Sequence, residues 1–263
     1  MLRRLLLKNR PEFVDRLINF ADFQRERLRR KSAIVPLSQP DFYRKLGETF
    51  KTDVDRILQE SRLREIEHAV EHGRQRLTAN AAFGIFHAAD PSMARLCYAL
   101  CRVQKPRTVI ETGVAHGVTT AFLLQALAEN GQGELWSIDL PPLAEGADDQ
   151  VGFLVPTELR SRWHLLRGRT HRVLPELVNS LSSVDMFLHD SLHTFRNVLM
   201  ELQTVWPKLP GGGLILSDDV DMNRAFETFG RRPGVAASFA TFQGNGSSVM
   251  GVVLKSRDAG SAT

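Results

Sequence analysis

The sequence predicts an α/β fold in which an open, mostly parallel sheet closes in an antiparallel C-terminal hairpin and follows an N-terminal α-helical segment. Three observations carry that reading. From Thr108 onward, short runs rich in β-branched residues alternate with segments of helical periodicity. Several of those runs end at an acid, namely Glu111, Asp139, Asp190 and Asp218-Asp219. Close to the end, Ala237 to Gln243 and Ser248 to Lys255 flank Gly244-Asn245-Gly246, a hairpin signal.

Taken in order, residues 1 to 32 read as one or two basic helices. Residues 1 to 31 hold ten Lys or Arg against four acids, a local charge of +6 that leaves the rest of the chain near −2. A basic amphipathic lead suits anionic lipid, nucleic acid or an acidic partner, and equally a solvated face packed on its own catalytic domain or on a second subunit. The second reading is preferred, with peripheral membrane contact through residues 1 to 31 and homo-oligomerisation kept open and no nucleic acid expected. Met1-Leu2-Arg3-Arg4 starts like a signal peptide, but only three apolar residues follow before Lys8, so no cleavage is expected. Pro36 and Pro40 mark a linker, and Asp41 is the expected cap of the next helical region. There Phe42, Leu46, Phe50, Val54, Ile57, Ile66 and Val70 recur at helical spacing through about Leu77. His68 and His72 stand four apart on it with no carboxylate suitably spaced to complete a metal site.

Asp90-Pro91 reads as an N-cap followed by a helix-starting proline. On that helix Cys97 and Cys101 fall on the stripe of Met93, Leu96 and Leu100, which predicts core packing, and two free thiols suit a reducing cytoplasm. At 43% hydrophobic and 24% charged, the 263 residues suffice for one large domain and an accessory piece, and no run reaches a membrane span.

The organising stretch is Thr108-Val109-Ile110-Glu111-Thr112-Gly113-Val114-Ala115-His116-Gly117-Val118-Thr119, read as strand, tight glycine loop and helix closing at Asn130-Gly131. Gly113 permits the turn and Gly117 a close helix start, so a ligand can approach bare backbone at a positive helix N-terminus. The spacing Glu-x-Gly-x-x-x-Gly departs from the dinucleotide fingerprint G-x-G-x-x-G, and an acid there suits a cationic ligand better than a pyrophosphate. Glu134 to Asp139 is a second strand whose acid stands where a ribose hydroxyl needs an acceptor. After it, Pro141 to Pro156 is long for a loop and reads as a lid or as a plain solvent loop. Trp163 to Gly168, Val184 to Asp190 and Leu214 to Asp218 supply the remaining parallel strands, with Val198, Leu199, Leu202 and Val205 marking the helix after the second of these.

The blocks Glu111-Thr112-Gly113 to Gly117, Ser137-Ile138-Asp139-Leu140, His189-Asp190-Ser191-Leu192-His193 and Leu216-Ser217-Asp218-Asp219-Val220 resemble class I S-adenosylmethionine-dependent methyltransferases. Within that superfamily they are similar to the metal-dependent macrocin and sugar O-methyltransferases. The resemblance covers roughly residues 79 to 255. It implies a Rossmann-like, doubly wound sheet, with residues 1–78 as a basic helical accessory region, 79–256 as the methyltransferase domain and 257–263 as a flexible tail. It also implies S-adenosyl-L-methionine as cofactor, bound through Glu111, Gly113, Gly117, Thr119, Asp139 and Asp190. One departure is Arg169-Thr170, standing where many relatives carry an acid or amide near the adenine, which leaves the adenine contact unassigned.

Asp190, Asp218 and Asp219 offer three hard oxygen donors at strand ends, suited to Mg²⁺. Consecutive strand residues point opposite ways, so Asp218 and Asp219 both face one ion only if the strand ends between them, and otherwise one of them caps the next helix. His193 is a candidate general base for a hydroxyl too weakly acidic to ionise unaided. The expected activity is methyl transfer to a hydroxyl of a sugar, glycan or glycosylated natural product. The rivals are a cephalosporin hydroxylase-like relative of other activity, a dehydrogenase, which the glycine spacing disfavours, and a non-catalytic or membrane-associated module.

Overall fold

The computed structural model describes residues 9–29, 31–77, 83, 90–244, 246 and 248–257. The signal-like Met1 to Lys8, the hairpin-turn residues Asn245 and Ser247, and the tail from 258 onward lie outside the described residues. Five parallel strands come first: β1 (Thr108–Thr112), β2 (Glu134–Asp139), β3 (Trp163–Arg167), β4 (Met186–His189) and β5 (Leu214–Ser217). A hairpin of β6 (Val235–Phe242) and β7 (Val249–Lys255) joins antiparallel to β5, giving the order β3-β2-β1-β4-β5-β7-β6. This is a Rossmann-like sheet with an antiparallel edge, as the sequence predicts.

The strands are short and almost wholly apolar because both faces are covered. Val109, Met186, Leu188, Leu214 and Leu216 pack on one side with α5 (Pro91–Gln104) and α6 (Val118–Asn130), whereas Ile110, Phe187 and Ile215 pack on the other. That second layer is built from α8 (Thr170–Ser180), α9 (Phe195–Val205) and α10 (Ala225–Gly230), and a one-residue slip of β4 would exchange its two layers. Helix α8 is not apparent from the sequence, since Pro175 interrupts it. The predicted cap and packing of α5 are observed: Asp90 accepts from Ser92 N, and Cys97 and Cys101 are fully buried free thiols.

Helices α2 (Gln39–Phe50), α3 (Val54–Leu58) and α4 (Ser61–Gln75) put Phe42, Leu46, Leu63, Ile66 and Val70 into the same core as α5 and α6. The cap of α2 is Ser38 rather than Asp41. Ser38 Oγ accepts from Asp41 N at 3.3 Å and donates to Asp41 Oδ2 at 2.6 Å, a reciprocal box with the acid inside the first turn. His68 and His72 are exposed on α4.

The segment from Pro141 to Pro156, expected as a lid or a plain solvent loop, borders a cleft through Pro142, exposes Ala144 to Gly146, and packs its second half on the domain. It folds around the short α7 (Ala147–Gln150), buries Val151, Leu154 and Val155, and is tied to the glycine loop through Gly152 N to Ala115 O and Leu154 N to His116 O.

The leading helix, α1 (Arg10–Glu26), docks by its acids. Glu12 meets Arg167 at 2.9 Å, Asp15 meets Arg172 at 2.8 Å, and Asp22 meets Arg169 and Arg196, each at 3.5 Å. Asp22 and Arg169 are both buried, so removing one partner strands the other charge. Asp22→Ala is expected to cost about 3 kcal/mol in urea denaturation, while Arg25→Ala on the exposed side should change stability by no more than about 0.5 kcal/mol.

Candidate active-site cleft

The register of the sheet levels the ends of four strands. Thr112 pairs with Ile138 and with His189, and His189 pairs with Ser217. The next residue on each strand is Gly113, Asp139, Asp190 and Asp218, and all four border one cleft of about 970 Å³. The chain runs β1, β2, β3 in one direction and returns to place β4 on the other side of β1, so the cleft opens at the switch point of an open α/β sheet. Its volume lies in the range of small-molecule sites.

Gly113 is required by contact as well as by conformation. At φ 85°, a Cβ there would stand 1.8 Å from the Asp190 carbonyl oxygen. The loop that follows is held by Asp139, whose Oδ2 accepts from Val114 N at 2.7 Å and Ala115 N at 2.8 Å. Gly117, at φ 87°, caps α6, and the space left by its missing side chain is filled by Gly152, 2.8 Å from where a Cβ would lie. It therefore serves packing of the 141–156 segment and does not border the cleft.

Glu111, expected to meet a cationic ligand, is not among the residues that border the cleft. Fully buried, its carboxyl accepts from Thr119 at 2.7 Å, Thr120 at 2.8 Å and Ser137 at 2.7 Å, pinning β1 to α6 and β2. Burial pushes its pKa up to about 7 against the pull of those hydroxyls. Thr119 borders the cleft, but its hydroxyl proton is directed to Glu111.

The acids at β4 and β5 differ in standing close to one another. Oxygen or nitrogen atoms of Asp190, His193 and Asp218 all lie within 4.8 Å of one another. His193 Nε2 is 3.7 Å from Asp190 Oδ1 and 3.8 Å from Asp219 Oδ2. Both aspartates after β5 reach the cleft because the strand ends at Ser217 and Asp219 adopts φ 50°. The tight set thus holds His193 in place of the expected Asp219, which stands beside it. Burial raises Asp190 well above the usual carboxylate range, reinforced by Asp218, and raises Asp218 to about 7 and Asp219 upward as well. Two half-buried carboxylates and an imidazole crowded together form a donor set that a divalent ion fits.

Beneath that cluster lies a network the sequence reading missed. Glu201, fully buried on α9, accepts from Thr112 Oγ1 at 2.7 Å, Ser191 Oγ at 2.7 Å and Asn197 Nδ2 at 2.8 Å, and it meets His189 Nδ1 at 2.7 Å. It ties the ends of β1 and β4 to the loop that carries His193. The available signal was an acid on the apolar stripe of Val198, Leu202 and Val205. Also missed were Asn19, Phe23 and Glu26 of α1, which border the cleft. Arg169 borders it too, but its guanidinium turns to Asn19 and Asp22.

The same architecture occurs in solved methyltransferases. An O-methyltransferase from Bacillus cereus in complex with SAH superposes with a TM-score of 0.55 at 16% identity, over 82% of this chain and 97% of that one. The O-methyltransferase TomG from Streptomyces achromogenes, involved in tomaymycin synthesis and bound to SAM, gives 0.55 at 16% over 75% and 91%. A methyltransferase from Geobacter sulfurreducens gives 0.53 at 17% over 73% and 90%. At these identities the likeness is one of fold. No curated protein matches the sequence. Residues 110–220, however, match the family model of a methyltransferase domain.

Residues 110–220 thus match a methyltransferase domain, and the sheet that carries them shares its fold with the solved methyltransferases. Gly113→Ala should destabilise by more than about 4 kcal/mol. Gly131→Ala, at φ 67° with open space around it, should cost only about 1 kcal/mol. The two buried glutamates should act with opposite sign on stability against pH. Hydrogen bonds and His189 outweigh burial at Glu201 and lower its pKa to about 2, so its contribution is complete above about pH 4.5 and is lost as pH falls toward 2. The loss is on the order of 3 kcal/mol. Glu111 is raised, so its native state weakens as pH rises from about 4.5 to about 7. Melting curves across pH for Glu201→Gln and Glu111→Gln should each lack the corresponding slope.

Proposed function

We propose that the protein is an S-adenosylmethionine-dependent O-methyltransferase acting on a hydroxyl of a sugar, glycan or glycosylated natural product, with Mg²⁺ as its ion. The observation that carries this reading is that the Asp190, His193 and Asp218 cluster opens on the same cleft as the Gly113 loop. Transfer to oxygen is supported by the Bacillus cereus and Streptomyces achromogenes neighbours, which are O-methyltransferases. The sugar class is supported by the sequence blocks that resemble the macrocin group. A cytoplasmic location suits the buried free thiols of Cys97 and Cys101.

In this reading Asp139 accepts the ribose hydroxyls, since a carboxylate offers about four acceptor positions and two amides occupy Oδ2. Gly113 and the following loop present bare backbone to the rest of the cofactor. Magnesium prefers oxygen, which assigns the ion to Asp190, Asp218 and Asp219 and leaves His193 to remove the acceptor proton. When bound, the ion supplies Lewis acidity toward the acceptor hydroxyl and neutralises the clustered carboxylates. With the cofactor bound, the acceptor oxygen would take the sulfonium methyl as the carbon–sulfur bond breaks and a neutral thioether leaves. This chain's own part would be to hold acceptor and methyl in line and to receive the hydroxyl proton at His193 Nε2.

Single-turnover transfer of labelled methyl to a panel of glycosides is the test. Excess chelator should abolish transfer while calorimetry shows cofactor affinity unchanged, and Asp190→Asn and Asp218→Asn should mimic chelation. Asp139→Ala should weaken cofactor binding by roughly 1–3 kcal/mol. His193→Ala should retain the metal and lose about 10²–10⁴-fold in rate. Full turnover in chelator would sink the role of the ion, and loss of metal binding in His193→Ala would make His193 a ligand instead of the base.

A further inference from the structure

Helix α1 is oriented against the usual rule for a surface helix. All four of its acids turn inward, with Glu12, Asp15 and Asp22 buried and the Glu26 carboxylate accepting from Phe195 N at 2.8 Å. Three of its apolar residues turn outward: Val14 is 45% exposed, Leu17 49% and Phe20 64%, and Leu28 just beyond the helix is 90% exposed, while Phe13, Ile18 and Ala21 are half-buried and Phe23 lies toward the cleft. At 100° per residue Val14, Leu17 and Phe20 share one face, opposite the acids. Arg10, Arg25 and Arg27 are exposed as well, and no acid of α1 is exposed among them.

We infer that this outward face of α1 docks on an anionic lipid surface. The combination of an apolar stripe, flanking arginines and acids withdrawn to the opposite side suits the boundary between headgroups and acyl chains. A second copy of the chain is the poorer occupant, because a two-fold interface would set this arginine-rich face against itself. The adjoining sequence extends the same chemistry: residues 1 to 8 add Arg3, Arg4 and Lys8 together with four leucines. Among the described residues no helix is long and apolar enough to cross a membrane, so contact is peripheral. The opposite side of the same helix gives Asn19, Phe23 and Glu26 to the cleft, which puts the lipid about 10 Å away, one helix diameter. None of this depends on the methyl-transfer reading.

The experiment is co-sedimentation of the full chain with vesicles of phosphatidylcholine alone or mixed equally with phosphatidylglycerol. Each basic residue near an anionic surface is worth roughly fivefold in binding, so three arginines predict on the order of a hundredfold preference for the mixed vesicles, lost at high salt. Leu17→Glu combined with Phe20→Glu should reduce that binding at least about tenfold, with cofactor affinity by calorimetry and the melting temperature unchanged. Should that variant melt early, Arg25→Glu with Arg27→Glu gives a second measure of the same face. Weak binding to both vesicle types, or anionic binding that survives both variants, would overturn the proposal. So would a dimer in sedimentation velocity that Phe20→Glu dissolves in protein without affinity for vesicles, since the face would then join two copies.

Discussion

The cleft depends on one close approach. Strands β1 and β4 run side by side to the same level, and where they end the chain leaves β1 through Gly113 directly against the carbonyl of Asp190. No other residue fits that gap. Because it closes, the loop from Val114 to His116 and the acid cluster after β4 share one wall, and a ligand held by the loop lies next to the groups after β4 and β5. The register supplies the rest, since levelled strands deliver Gly113, Asp139, Asp190 and Asp218 to one rim. The sheet therefore assembles the site before any side chain is considered.

The acids near this rim divide by what satisfies them. Glu111 and Glu201 accept from hydroxyls, an amide or an imidazole, and each joins elements that would otherwise diverge. Such carboxylates are scaffolding: their worth lies in bonds already made, and their burial is tolerated because those bonds exist. Asp190, Asp218 and Asp219 crowd together beside one imidazole and Gln243, and their pKa values rise together. Burying like charges costs free energy and returns none to the fold, a pattern frequent at functional sites.

This division explains what was legible in the sequence. Strand-end acids, the glycine loop, the Asp90-Pro91 helix start and the hairpin all follow from local pattern, and each lies where expected. Which acid faces the cleft does not follow, because Glu111 and Asp139 look alike in one dimension and only the positions of Thr119, Thr120 and Ser137 separate them. The same holds for Asp218 and Asp219, whose joint access rests on a single left-handed residue at 219. Gly117 was read through a ligand, and its neighbour proved to be Gly152 of a segment 35 residues away. The packed half of the 141–156 segment stayed hidden because prolines, glycines and acids mask the buried Val151, Leu154 and Val155.

Helix α1 shows a different kind of opacity. Residues 1 to 31 are net basic, whereas the ion pairs of α1 to the domain are made by its acids, with Arg16 adding a hydrogen bond to the Pro141 carbonyl. Four partners, Arg167 at the end of β3, Arg169 and Arg172 at the start of α8 and Arg196 at the start of α9, meet these acids, so the helix is placed by pairwise matching along its length. Matched charges of this kind give modest net stability, since desolvation offsets much of the attraction, yet a shifted register would leave several of them unpaired at once. Apolar packing would have held the helix more firmly and positioned it less closely. An element that contributes Asn19, Phe23 and Glu26 to the cleft needs position more than strength, and with its docking assigned to charge, Val14, Leu17 and Phe20 remain on the outside.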